Sequence, residues 1–499
     1  MYLNNEEINK NLNENLILKK NHIDNEIIKE NNYKNKDKND KISLGECTKI
    51  CLYLGFISFG GPIAHIGVFK KILIEENKFL TELEFTDLFN ICNIIPGPTS
   101  SQLLTAIMTL KTNSVIGGLI SFLCFNMPAL IAMIIIANLF QNEFNINEFS
   151  NITPANFDHY YLIYLFIMGI CQAAVANILL AAFTLSEKIQ KNLLQMILLT
   201  LATIIFSLTG NLLAMIVIML SCGLITILNG DESMLLKLVN EDSKINNFKD
   251  EEKDKFTDLE NLNTFEESNK IKIENKNNKD STLPFFLGLP ALITWGFFLK
   301  LFLIMKLFNL NFFLSKKNLI ISEAFFRIGS VIVGGGHVVI PMMMTEFVET
   351  GLINREEILK GFSFVSLMPG PMFNIAGYIG ALLNGTITGF ISAFFIFLPG
   401  MLIMFFMIGN FKVLNNHKNI QFFIRGASTA GIGFIFTAIY TIFMETSVNS
   451  NNSNLISGLV NIAICFYLMK KTKILLPFIL FIGAINYIIL RFISFYIYI

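Results

Sequence analysis

Four short clusters of glycine and proline interrupt the most apolar stretches of this 499-residue chain, and its chemistry concentrates there. Phe59-Gly60-Gly61-Pro62-Ile63-Ala64-His65 and Pro96-Gly97-Pro98-Thr99-Ser100 lie in the first half; Val333-Gly334-Gly335-Gly336-His337 and Pro369-Gly370-Pro371-Met372-Phe373 lie in the second. In a helix interior Gly costs about 1 kcal/mol and Pro about 3 kcal/mol relative to Ala. Within a bilayer, broken backbone survives only where it is buried in protein or lines a cavity. A helix that restarts at such a break directs unbonded N–H groups and the positive end of its dipole into that space, an arrangement that suits an oxyanion. Thr99, Ser100, Ser101 and Gln102 would add hydroxyl and amide donors after the first Pro-Gly-Pro, and Asn374 after the second. First-turn capping is an equally good account of Thr99 and Ser100, and the two roles are compatible.

Few ionisable groups accompany these breaks. Arg327, seven residues before Gly334, is either a functional cation at depth or the partner of Glu323 in an i,i+4 pair. Arg425 reads as an interfacial side chain beside His417 and Lys418. His65 and His337 have the chemistry to carry protons, but they fall two positions out of register with each other, and satisfied buried histidines are the commoner outcome. The seven cysteines lie singly in or beside apolar runs and read as small buried hydrophobes. No HExxH, GxSxG or paired acid occurs within an apolar stretch and no zinc spacing is present, so neither an enzyme, a metal site nor a cofactor is expected.

The elements that must position the breaks are membrane helices. The chain is 53% hydrophobic and only 15% charged, with a mean hydropathy of +0.56, where soluble domains are about a quarter charged. Net charge is zero and no basic stripe interleaves with aromatics, which argues against a nucleic-acid partner. A hydrocarbon layer of ~30 Å needs roughly 20 apolar residues as helix. That rule gives about thirteen transmembrane helices, at 47–69, 86–110, 115–140, 159–184, 192–209, 211–229, 284–306, 319–343, 357–383, 386–409, 420–444, 455–470 and 474–496. The 47–69 segment could be broken or re-entrant, 192–229 is divided only by Thr209-Gly210-Asn211, and 455–470 is short. The polar stretches 1–46 and 230–283 read as a disordered cytoplasmic tail and a disordered linker around two membrane domains, 47–229 and 284–499. The tail carries no secretory signal pattern. Lys and Arg, Arg355 and Lys360 among them, fall mainly in loops that would share the tail's side, which places the N-terminus in the cytoplasm.

The two domains repeat one another. Phe59–His65 answers to Val333–His337, Pro96–Ser100 to Pro369–Phe373, Asn126-Met127-Pro128 to Phe397-Leu398-Pro399, and Gly169–Ala173 to Gly426–Ala430; the offset drifts from 274 to 273, 271 and 257. Four ordered matches indicate a duplication. With seven spans between equivalents the halves would be inverted, the scaffold of alternating access, provided that 284–306 crosses the membrane; otherwise they would be parallel. Gly117, Gly118 and Ser121, like Gly385, Gly389 and Ala393, have the spacing of helix-packing faces.

Taken together these motifs resemble the chromate ion transporter family in its long, two-domain form. The signature Phe-Gly-Gly-Pro with Ala-His falls at 59–65, the Pro-Gly-Pro segments at 96–98 and 369–371, and the second-domain Gly-Gly-Gly at 334–336 with Pro341 downstream and Arg327-Ile328-Gly329 upstream. Val333 and Tyr378 stand where the family usually has Phe, and the linker is longer than usual. The resemblance implies an all-α membrane protein that passes a tetrahedral inorganic oxyanion, chromate and its analogue sulfate, across a lipid bilayer. It implies drive from a gradient rather than ATP, with a proton or counter-ion as the candidate coupling species. The substrate-binding set expected is Gly60, Gly61, Pro62, His65, Pro96, Gly97, Pro98, Thr99, Ser100, Gln102, Arg327, Gly334, Gly335, Gly336, His337, Pro369, Gly370, Pro371 and Asn374. A passive anion channel on the same scaffold is the alternative.

Overall fold

Apolar runs punctuated by glycine and proline become helices that end where the punctuation falls. The computed structural model describes residues 41–92, 95–143, 159–187, 193–210, 212–229, 290–291, 293–298, 300–301, 316–332, 336–409, 418–447, 452–472 and 474–498. The first forty residues of the tail, the linker and most of the 284–306 segment lie outside them.

The first half contains α1 (Leu44–Ile57), α2 (Gly61–Phe69), α3 (Glu82–Cys92), α4 (Thr99–Thr112), α5 (Val115–Glu143), α6 (His159–Glu187), α7 (Leu193–Thr209) and α8 (Leu212–Leu228). The second contains α9 (Lys316–Val331), α10 (Val339–Met343), α11 (Arg355–Leu367), α12 (Ile375–Asn384), α13 (Thr386–Gly409), α14 (Lys418–Ser447), α15 (Asn452–Lys471) and α16 (Leu476–Tyr498). These elements match in order between the halves, with the helical residues 290–291, 293–298 and 300–301 preceding the second set. Each has a π-helical turn after its second helix, Lys70–Glu76 and Met344–Val348, and each carries a proline inside its fifth, Pro128 and Pro399.

Among the described residues five helices are long and apolar enough to cross a membrane: Val115–Phe140, Tyr161–Glu187, Thr386–Ile408, Asn419–Ser447 and Leu476–Ser494. Four of the expected spans are each two helices about a break: 47–69, where a broken element is one of the expectations, and three others, whose single span is corrected. The segment 47–69 divides into α1 and α2, 86–110 into α3 and α4, 319–343 into α9 and α10, and 357–383 into α11 and α12. At ~1.5 Å per residue the 14 residues of α1 or α4 reach only ~21 Å. A hydropathy window averages across three residues of Pro-Gly-Pro and so joins the helices on either side into one run. Gly210, at φ +63°, separates α7 from α8, and the short 455–470 run extends into the 20-residue α15.

Glycines set the packing, and they do so in equivalent pairs. A Cβ on Gly55 of α1 would lie 2.7 Å from the Cys124 carbonyl of α5; on Gly329 of α9, 274 positions later, it would run into the Ile396 carbonyl of α13. Gly169 of α6 meets Ala484 of α16, and Gly426 of α14 meets Cys222 of α8. The sixth helix of each half is therefore covered by the last helix of the other, and the halves are interleaved rather than side by side.

The equivalent helices α5 and α13 run antiparallel. Phe122 stacks edge-on against Phe397 with ring centroids 5.1 Å apart, while Asn138 Nδ2 donates to Thr386 Oγ1 at 2.9 Å at the other end. Small residues of both predicted packing faces lie at helix contacts, with Gly118 against Thr109 and Gly389 against the Gly377 carbonyl.

Candidate functional site

The four breaks meet crosswise. Gly97, in the Pro-Gly-Pro of the first half, donates its N–H to the Ile332 carbonyl at the end of α9 (2.8 Å). Gly370, in the Pro-Gly-Pro of the second half, donates to the Ser58 carbonyl at the end of α1 (2.7 Å). The two donors are 273 positions apart and the two acceptors 274, the offsets of the sequence repeat. Both glycines sit at positive φ, +114° and +94°, which a residue with a Cβ adopts only under strain. Gly60 and Gly61 turn the chain between α1 and α2 at φ +100° and +80°, with Pro62 in the first turn of α2.

These bonds correct one expectation. The amides of Gly97 and Gly370 are not open to a solute; each is held by a carbonyl of the other half. The free donors lie one turn further on. Helix α4 begins at Thr99 behind Pro98 with no side chain capping it, and the Gln102 N–H makes the bond to the Pro98 carbonyl at 3.1 Å. The amides of Thr99, Ser100 and Ser101 thus have no acceptor within their helix, although Thr99 is 6% exposed and Ser100, Ser101 and Gln102 are buried. After Pro371 the chain forms a 3-10 turn, Met372–Asn374, that also lacks a side-chain cap and is also buried.

A polar cluster surrounds the start of α4. Ser100 Oγ lies 3.0 Å from His65 Nδ1, and Ser101 Oγ donates to Asn126 Oδ1 at 3.0 Å. Asn126 donates through Nδ2 to the Phe122 carbonyl, and its own carbonyl accepts from Asn374 Nδ2 at 3.4 Å. Gln102 Nε2 donates to the Pro96 carbonyl at 2.7 Å. Five buried side-chain atoms here have no partner: Ser58 Oγ, His65 Nε2, Gln102 Oε1, Thr105 Oγ1 and Asn374 Oδ1. Buried polar groups are almost always hydrogen-bonded, and an orphan carries a cost that a ligand can relieve.

The remaining expected residues divide. Gly336 is buried with its Cα facing the Met372 side chain, which joins the second-half breaks to each other. Gly334, Gly335 and the side chain of His337 lie outside the described residues. Arg327 does pair with Glu323, as the i,i+4 spacing allowed, through Nε at 2.8 Å, and its other edge is held by Glu346. The guanidinium is thus bound by two carboxylates, and the trio carries a net negative charge.

Sequence reasoning missed a second ionic group. Lys360, expected in a loop, is 2% exposed, and its Nζ donates to Glu357 Oε1 at 2.6 Å; Glu357 Oε2 accepts from the Tyr378 hydroxyl at 3.1 Å. A Glu–Lys pair at i,i+3 opening an apolar run was the available signal, and the positive-inside count set it aside. Asn126 was a landmark of the repeat without being assigned to the site.

Among the described residues no group of three or more His, Cys, Asp or Glu is placed to hold a metal ion. No solved structure matches the chain. A chromate transport protein of Cupriavidus metallidurans is 21% identical over 447 residues, covering 88% of this chain and 92% of the relative. A probable chromate transport protein of Synechococcus elongatus is 22% identical over 401 residues, 80% of this chain and 84% of that one. An uncharacterised transporter of Methanocaldococcus jannaschii is 20% identical over 444 residues, with 88% and 92% covered. The model of the chromate transporter family matches residues 46–227 and 319–488, so both halves and the breaks within them fall inside it. The chain is an integral membrane protein of the chromate transporter family.

Proposed function

We propose that this protein is a secondary transporter that carries a tetrahedral oxyanion of the chromate and sulfate class by alternating access, with its site at the start of α4. The observation that carries the reading is a helix N-terminus that is buried, uncapped and ringed by orphan polar atoms, at the place where both halves' breaks meet. Such an end supplies directed N–H groups and the positive pole of a dipole without a formal cation. The relatives named for chromate transport support the same substrate class. In this reading the anion lies against Thr99, Ser100 and Gln102, with His65 and Asn374 beside it, while Gly60, Gly61, Pro62, Pro96, Gly97, Pro98, Gly336, Pro369, Gly370 and Pro371 shape the backbone. Gly334, Gly335 and His337 are assigned to the site by the repeat alone. Arg327 clamps α9 to the π turn that follows α10 and does not touch the anion.

The domains are 47–229 and 284–499, related as inverted repeats with the N-terminus in the cytoplasm. The antiparallel course of α5 and α13 supports inversion, since repeats related by an axis along the membrane normal would place equivalent spans parallel.

Alternating access requires equivalent parts in unequal states, and the third helices provide them. Glu84 of α3 and Glu357 of α11 are equivalent at the 273 offset. Helix α11 is packed among α5, α6, α12 and α16, with Glu357 buried against Lys360 and Tyr378. Helix α3 packs mainly on α4, and the Glu84 side chain is 56% exposed, 3.9 Å from Lys111. One hairpin is docked and its counterpart is not, as in a carrier closed on one side.

The test is flux into proteoliposomes holding the full chain, with labelled chromate and sulfate under imposed ion and pH gradients. Accumulation against the anion's own gradient is the expected result. Equilibration without accumulation under every gradient would make the protein a channel, and no flux of any oxyanion would end the reading.

A further inference from the structure

The orphan atoms around α4 are not all donors, and that mixture says which form of the anion fits. We propose that the site takes its oxyanion as a protonated monoanion, with Gln102 Oε1 or Asn374 Oδ1 accepting from the anion's own hydroxyl, so that oxyanions able to hold a proton near neutrality are selected over those that cannot. The inference rests on the transport reading above and specifies its substrate.

The amide orientations are fixed by their surroundings. Gln102 Nε2 donates to the Pro96 carbonyl at 2.7 Å, and turning the amide over would set oxygen against oxygen. Asn374 Nδ2 is held in the same sense by the Asn126 carbonyl at 3.4 Å. Each side chain is fully buried, and each therefore presents a carbonyl oxygen for which the protein supplies no donor. The donors at the start of α4 are the amides of Thr99, Ser100 and Ser101 and the hydroxyl of Ser58, whose carbonyl holds Gly370. His65 joins them when Ser100 donates to its Nδ1, which leaves the hydrogen on Nε2.

A fully deprotonated tetrahedral dianion presents four acceptors and nothing else. Against Gln102 Oε1 and Asn374 Oδ1 it would meet two carbonyl dipoles by their negative ends and leave both unsatisfied. Hydrogen chromate offers one donor to one of these acceptors and three oxygens to the donors. Leaving one buried acceptor unmatched is worth roughly ten-fold or more in affinity, and sites built to bond a ligand hydroxyl reject analogues lacking it most strongly.

Charge points the same way. The segments 58–65, 96–105, 332–337 and 369–378 contain no Lys or Arg, so the anion must be desolvated without a cation beside it. That cost grows with the square of the charge, and a monoanion incurs about a quarter of what a dianion does. Chromate and phosphate take up a proton near neutral pH. Sulfate and selenate, of the same shape, do so only in strong acid.

The experiment is competition for labelled chromate uptake into proteoliposomes of the full chain, at equal pH on both sides, with unlabelled phosphate, sulfate and selenate. Phosphate is expected to compete, and sulfate and selenate to do so at least about ten-fold more weakly than chromate. The half-saturating concentration should stay constant with pH only when expressed as the monoanion. Gln102→Met, which removes the acceptor and keeps the bulk, should narrow the chromate-to-sulfate ratio about ten-fold; Asn374→Leu is the second variant should the first fail to fold. Sulfate competing as well as chromate in the unmodified protein, or a half-saturation constant in terms of the dianion, overturns the inference and leaves oxyanion transport standing. No flux of any anion overturns both.

Discussion

Replacing Lys360 with Met should destabilise the protein far more than its place in the middle of a 13-residue helix would suggest. Lys360 and Glu357 side chains are 3% and 5% exposed and 2.6 Å apart. At an effective dielectric of about 20 their attraction is about 6 kcal/mol, offset by a desolvation penalty of several kcal/mol for each ion. The intact pair is thus close to neutral for stability. Removing only the ammonium leaves a buried carboxylate that still accepts from the Tyr378 hydroxyl, which costs about 3–5 kcal/mol. Glu357→Gln combined with Lys360→Met removes both charges and should recover most of that loss. The assay is the thermal midpoint in detergent of the parent, both single variants and the double variant. It is joined by the rate at which a thiol reagent modifies Ser366→Cys, a position 8% exposed on the same helix. Lys360→Met should lower the midpoint and speed labelling as α11 undocks, and the double variant should reverse the first effect. A single variant as stable as the parent, with no gain in the double, would refute the reasoning.

Two further outcomes follow from the geometry. Arg327→Met leaves Glu323 and Glu346 facing each other; since the three side chains are 34%, 20% and 16% exposed, solvent screening limits the loss to about 1–2 kcal/mol. Arg327→Lys should keep the half-saturation constant for chromate, and a ten-fold rise in a folded variant would return Arg327 to the anion site. Asn113→Cys and Thr386→Cys, both exposed and at the starts of α5 and α13, should react with a membrane-impermeant thiol reagent from opposite faces of the membrane, and reaction from one face would make the repeats parallel.

The breaks were legible because each is written in residues that helices tolerate poorly, and the duplication could be read from the order of four short motifs. The offsets found there reappear in the Gly97–Ile332 and Gly370–Ser58 hydrogen bonds and in the Gly55 and Gly329 contacts. What the break amides do was not legible, because their acceptors stand more than two hundred residues away. The same holds for Lys360. Its charge alone marks a loop in a one-dimensional count, and the partner that permits its burial, Glu357, is bonded in turn by a tyrosine 21 positions on. Glu346 lies just past the expected end of its span, so the second carboxylate on Arg327 was out of view.

The crossed glycine bonds also bear on release, which a carrier needs as much as binding. Ser58 and Ile332 close the C-terminal ends of α1 and α9, where carbonyls and the negative poles of those helices gather. Gly97 and Gly370 lie just before α4 and the Met372–Asn374 turn, where the positive poles gather. Each bond therefore sets a negative helix end beside a positive one, and an anion bound at the start of α4 as proposed would experience the difference between them. The attraction is weakened, and conduction through any such site requires binding strong enough for entry and weak enough for exit. Each bond contributes about 0.5–1.5 kcal/mol net, within reach of thermal motion, and each joins one half to the other. A movement that parts α1 from Gly370 uncovers a carbonyl on one half and an amide on the other together, so rearranging either break costs the other that one bond.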